Sequence, residues 1–287
     1  MTAVQDTLRA TSAGFEVPAL PDLLRRVLDV TSDPRSSSRD LERVIREDPG
    51  LVIELLRTVN STRYGLRTPI SAANHAIVLL GIPVVVSLVS GLLLLNAFRN
   101  QPGLDPNRLC AVWRNALACS GLVNVLGRRL PARQRDHAFL AALTQNVGQL
   151  ALARHFQERY DALHRCGPFP AIVAERRRLG VDHAGVSAYL LDQWRFPREV
   201  IAIVEVHHEP ERYGGDPREV LLVAVADGID RVVTERPESL TLATRPPARC
   251  LERLASLGWT WSDLVAEREE LLRPVTEASR LVHAHTR

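Results

Sequence analysis

Residues 137–156 read HAFLAALTQNVGQLALARHF. The segment reads as a helix. At its centre stand two carboxamides, Gln145 and Asn146. A carboxamide is neutral, binds divalent cations weakly, and cannot replace the charge of an aspartate. The same helical reading extends outward. No alternating strand pattern and no hairpin turn lies between apolar runs, so the chain is expected to be all-α.

Composition narrows the chemistry. The 287 residues allow one large or two small domains with substantial cores. Charged residues make up 24% and aromatics 5%, which suits helices packed on helices in an ordinary globular protein. A net charge of +3 is a mild excess and no basic stripe is present, so no nucleic-acid partner is expected. All 36 basic residues are arginine. Without lysine there is no Schiff base and no P-loop lysine. Cys110, Cys119, Cys166 and Cys250 show no CxxC spacing, which argues against a zinc ribbon or disulfide framework. Reduced thiols and a cytoplasmic location are the expectation.

Along the chain, residues 1–14 are polar and expected as a flexible leader. Residues 15–99 form a first helical lobe, with caps expected at Ser36 to Ser38, at Asp48-Pro49 and at Ser71. Ala76 to Phe98 carries no charge and is long enough to span a bilayer. Gly81-Ile82-Pro83 interrupts it, so it reads as a helix end, a turn and one buried helix, with no membrane expected. NQPGLDPNR leads into a second lobe, residues 100–235. A C-terminal helical extension follows over 236–287, holding two short helices. Asp136-His137 is expected at a helix start, with Asp136 as its cap.

Several landmarks in order resemble one family. They are VPALPDLLRRVLDV, REDPGLVIELLRTVNSTRYGLRTPISAANHAIVLLG, AVWRNALACSGL, the Gln145-Asn146 segment, LGVDHAGVSAYLLDQWRFPREVIAIVEVHHEP and VAVADGIDR. Together they are similar to the HDOD domain, the HD-related output domain of bacterial signalling proteins, over roughly residues 15 to 235. The resemblance implies a two-lobed helical bundle whose C-terminal lobe is like the HD phosphohydrolases. It also implies a regulatory module that contacts other signalling proteins. Oligomeric state stays open.

An HD-type site uses an early histidine, a His-Asp doublet and a late aspartate, and binuclear versions add histidines. Such ligands hold divalent ions that acidify a bridging water. Here Asn115 stands at the early position and Gln145-Asn146 at the doublet. His183, His207, His208 and Asp227 remain as vestigial candidates. One reading keeps a single metal on those four residues. The other makes them structural: His183 beside a helix cap, Asp227 in an arginine ion pair, and His207-His208 about 100° apart on one helix, unable to share an ion. The expectation is therefore no catalytic residue, no bound metal and no cofactor. Alternatives are a sensor of a nucleotide or cyclic dinucleotide and a residual metal-dependent phosphohydrolase. Arg176, Arg177 and Arg178 could grip an anion or form a solvated helix face.

Overall fold

In a computed structural model of the chain, the described residues are 20–33, 35–60, 70–99, 104–164, 172–235 and 248–285. The expected leader, most of NSTRYG, the start of the NQPGLDPNR linker, Cys166 and residues 236–247 lie outside them. Every regular element among the described residues is helical, and the fold is all-α. The chain divides into two compact units.

The first unit draws on residues 18–101 and on residues from 279 onward. It contains α1 (Asp22–Ser32), α2 (Ser38–Ile45), α3 (Pro49–Val59), α4 (Ala73–Leu80) and α5 (Ile82–Arg99). Local chemistry sets their starts. The Asp40 carboxylate accepts from both the backbone N–H and the hydroxyl of Ser37, which anchors α2. Asp48 accepts from the Leu51 N–H at 3.0 Å, with Pro49 in the first turn of α3. Ser71 does not cap α4 as expected. The helix begins at Ala73, so Ala72 takes the cap position and no side chain caps it. Asn60 instead secures the approach to α4, exchanging two 2.6 Å bonds with the backbone of Ile70. The uncharged stretch from Ala76 breaks at Gly81, whose φ of +81° is left-handed. Beyond it α5 packs against α1, α3 and α4 and buries Val85, Val89 and Leu92.

The second unit covers residues 102–278. It begins with α6 (Pro106–Leu126), α7 (Ala132–Thr144), α8 (Val147–Phe156), α9 (Glu158–His164) and α10 (Ile172–Leu179). It continues with α11 (His183–Gln193), α12 (Arg198–Val206) and α13 (Pro217–Glu235). Helix α6 packs on α7 and α13, while α11 packs on both α8 and α12. Among the described residues, Pro106–Arg129 is the one helical stretch long and apolar enough to cross a bilayer, and 72% of its apolar window is buried in the fold. Asp136 does not cap α7. The helix starts at Ala132 after Pro131, which places Asp136 inside it and lets His137 meet Glu219 on α13 at 3.2 Å.

Residues 248–278 belong to this second unit as well. Three helices stand where two were expected: α14 (Ala248–Ser256), α15 (Trp261–Ala266) and α16 (Arg268–His285). The buried Trp259 indole donates to the Leu126 carbonyl at 2.9 Å, and the Arg129 guanidinium lies 4.1 Å over its ring. Pro274, inside α16, seats against Gly121, where a Cβ would come within 2.6 Å of the proline Cβ.

Candidate functional site: an amide network and a histidine cluster

The segment that reads as one helix is two. Helix α7 ends at Thr144, Gln145 is its C-cap, and Asn146 is the N-cap of α8. A break of this kind orphans backbone groups. Ser187 on α11 takes two of them. Its hydroxyl donates to the Gln145 carbonyl at 2.7 Å and accepts from the Gly148 N–H at 2.8 Å. This close approach requires Gly148. A Cβ there would sit 2.7 Å from the Ser187 backbone N and would also strike the His183 carbonyl. Gly148→Ala should therefore lower stability by about 1–3 kcal/mol through overpacking, read as a reduced urea midpoint.

The break turns Gln145 and Asn146 into the interior, where they meet Asn115 of α6. All three are buried. The Asn115 Oδ1 accepts from Asn146 Nδ2 at 2.7 Å and from Gln145 Nε2 at 3.4 Å. Its amide nitrogen donates to Asp230 Oδ2 at 2.8 Å and to Asp227 Oδ1 at 3.2 Å. Asn146 Oδ1 accepts from Gln149 at 2.8 Å. Asp227 also pairs with Arg231 one turn later at 3.2 Å, as an arginine ion pair would have it. Asp230 forms a two-pronged ion pair with Arg114, both bonds 2.8 Å. Burial pushes the Asp230 carboxyl up, and the guanidinium opposes that shift. An ion at the doublet position would have to break these bonds and would meet carboxamides in return. The residues there do not fit one.

The histidines form a separate cluster. Asp182 caps α11 through the Gly185 N–H at 2.8 Å. His183 begins the helix, and both its backbone N–H and its Nδ1 meet Glu175 Oε2 at 2.7 Å. Glu175, fully buried on α10, also accepts from the Tyr160 hydroxyl at 2.8 Å. The objection that His207 and His208 diverge on one helix is overturned. Helix α12 ends at Val206 and His207, its C-cap, keeps helical dihedrals (φ −59°, ψ −24°), yet the rings of His207 and His208 stand 4.0 Å apart. His207 Nδ1 bonds the Val204 carbonyl at 2.7 Å. His208 Nε2 faces His183 Nε2 at 3.0 Å. One ring nitrogen of each of the three histidines lies within 4.8 Å of the others. Burial pushes the His207 imidazole down to about 4 and lowers His208 further, so both rings are neutral near pH 7.

Of the three adjacent arginines, Arg176 spends its guanidinium on carboxylates. It bonds Asp182 and makes two contacts with Glu209, at 2.7 and 3.1 Å. Arg177 and Arg178 are exposed on α10. Sequence reasoning passed over Asp230, Glu175 and Ser187. The spacing of Asp227 and Asp230, three residues apart and so on one helix face, was the available signal for the first.

The HDOD domain profile matches residues 17–210 of this sequence. The chain belongs to the HDOD family. An HDOD domain protein of unknown function from Geobacter sulfurreducens shares the fold with a TM-score of 0.76 at 19% identity, each chain covered to 98%. A candidate signal-transduction protein from Marinobacter aquaeolei aligns with a TM-score of 0.77 at 22% identity, covering 100% of this chain and 66% of its own. A candidate phosphohydrolase from Shewanella amazonensis gives 0.71 at 18% identity with 98% of both chains covered. In sequence, an uncharacterized protein of Treponema pallidum is 25% identical over 209 residues, 69% of this chain. The match spans 39% of that relative's length. These likenesses establish an HDOD fold, and the family is one related to the HD phosphohydrolases.

Proposed function

We propose that this HDOD protein is a non-catalytic regulatory module of bacterial signalling, acting in the cytoplasm through contacts with other signalling proteins. The single observation that carries this reading is the bonding of Asn115. It donates to two aspartates and accepts from both carboxamides of the doublet, so the position of a bridging ion is crossed by four hydrogen bonds of one asparagine, although the buried Gln145 Oε1 beside them has no hydrogen-bond partner. Hydrolysis by a metal-activated water needs an anionic bridging ligand, and neither Gln145 nor Asn146 supplies one. The likeness to the candidate signal-transduction protein of Marinobacter supports the regulatory half of the reading. The mild charge of the chain favours a protein partner over nucleic acid or a membrane surface.

The purified chain should show no phosphodiester cleavage above background with added manganese, against nucleotides and cyclic dinucleotides alike. Metal-dependent turnover of any of them would overturn the reading. Calorimetry with the same panel should give no heat beyond dilution, since Arg176 already has carboxylate partners. Saturable binding there would favour a nucleotide sensor instead. Crosslinking in the native host should recover a defined signalling protein.

A further inference from the structure

We propose that His183, His207 and His208 bind one divalent ion of zinc type through their Nε2 atoms, in a centre that does not use the doublet. The argument begins with a buried atom that has no partner. His207 Nε2 is enclosed by protein and makes no hydrogen bond, while its Nδ1 is fixed by the Val204 carbonyl. Leaving such an atom unsatisfied is costly, and an ion satisfies it. The same logic fixes His183. Its Nδ1 holds the Glu175 carboxylate, which leaves Nε2 as the lone-pair nitrogen. That Nε2 points at the Nε2 of His208, so in the metal-free chain His208 must donate between two nitrogens that are both good ligands.

Geometry agrees. Zinc–nitrogen bonds of about 2.0–2.1 Å at tetrahedral angles put ligand nitrogens about 3.3 Å apart. The 3.0 Å pair is already there, and the widest separation of 4.8 Å closes with a ring movement of about 1.5 Å. The outer partners also match what imidazole ligands need: a carboxylate behind His183 and a main-chain carbonyl behind His207. Tyr160 in turn orients Glu175. All of the ligand atoms are imidazole nitrogens, which selects borderline ions such as zinc over magnesium or calcium. Asp227 is not a ligand, because Asn115 and Arg231 occupy its two oxygens. Binding and hydrolysis are thus separable here: an ion bound without turnover leaves the regulatory reading standing, and turnover would remove that reading without touching the site.

The test uses the whole chain stripped with a chelator and titrated with zinc chloride at pH 7.5 by calorimetry. One ion per chain is expected, with a Kd below about 1 μM. Cobalt loading should produce visible absorption of a nitrogen-ligated ion. His207→Ala and His208→Gln should each weaken zinc binding at least about 100-fold, while Glu175→Gln, behind the ligand, should weaken it about 10- to 100-fold. His75→Ala, on an exposed histidine of the first unit, should leave affinity unchanged. Absence of stoichiometric zinc uptake by the unmodified chain overturns the proposal. So does undiminished binding by a folded His208→Gln variant.

Discussion

Asp230→Ala should lower the unfolding free energy by about 3–5 kcal/mol, the cost of removing one partner from a buried ion pair. Asp230 is fully buried, and the Arg114 side chain keeps only 13% of its surface exposed. Without the carboxylate, Arg114 loses two 2.8 Å bonds and has little water to replace them. Asn115 also loses the stronger of its two acceptors. The pair joins α6 to α13, so the loss falls on the contact that centres the second unit. Chemical denaturation followed by circular dichroism measures it, with the midpoint falling at constant slope. Arg114→Leu with Asp230→Leu should recover a large share, because the uncompensated charge is then gone. A loss under about 1 kcal/mol for Asp230→Ala would mean that Arg114 reaches solvent in the folded state.

What the sequence made legible follows from which forces are local. The caps at Ser37 and Asp48 and the turn at Gly81 are decided by neighbours within a few residues, and they stand where they were read. The break at Gln145-Asn146 was not legible. The segment holds no proline, its apolar residues continue through the break, and the hydroxyl that sustains the break belongs to Ser187, 42 residues from Gln145. Asp230 stayed hidden for the same reason, since its partner lies 116 residues away on α6. The divergence argument for His207 and His208 considered only backbone direction, whereas their side chains bring one ring nitrogen of each within 4.8 Å of the other and of His183. The role of Arg176 stayed open between an anion grip and a solvated face because its acceptors, Asp182 and Glu209, meet it only in the folded chain.

Asn146→Asp should be among the most damaging single-atom changes in the chain, costing about 3 kcal/mol or more, although it restores half of the doublet. The reason lies in the direction of Asn115. Its amide nitrogen faces the carboxylates of Asp227 and Asp230, so its oxygen must face residue 146. Position 146 must then donate, which asparagine does at 2.7 Å and a carboxylate cannot. If Asn115 turns over to suit the new aspartate, its oxygen meets two carboxylates instead. Either way, a third buried negative charge joins Asp227 and Asp230, with Arg114 and Arg231 already committed. Gln145→His with Asn146→Asp should for that reason be unstable and inactive in a manganese-dependent phosphodiesterase assay. Asn115→His must accompany them before a ligand set exists at that position, because only then does the early residue stop demanding a donor. Thermal unfolding of Asn146→Asp and of the double variant gives the stability result. Clear metal-dependent turnover by the double variant alone would show that Asn115 does not set the polarity of the network.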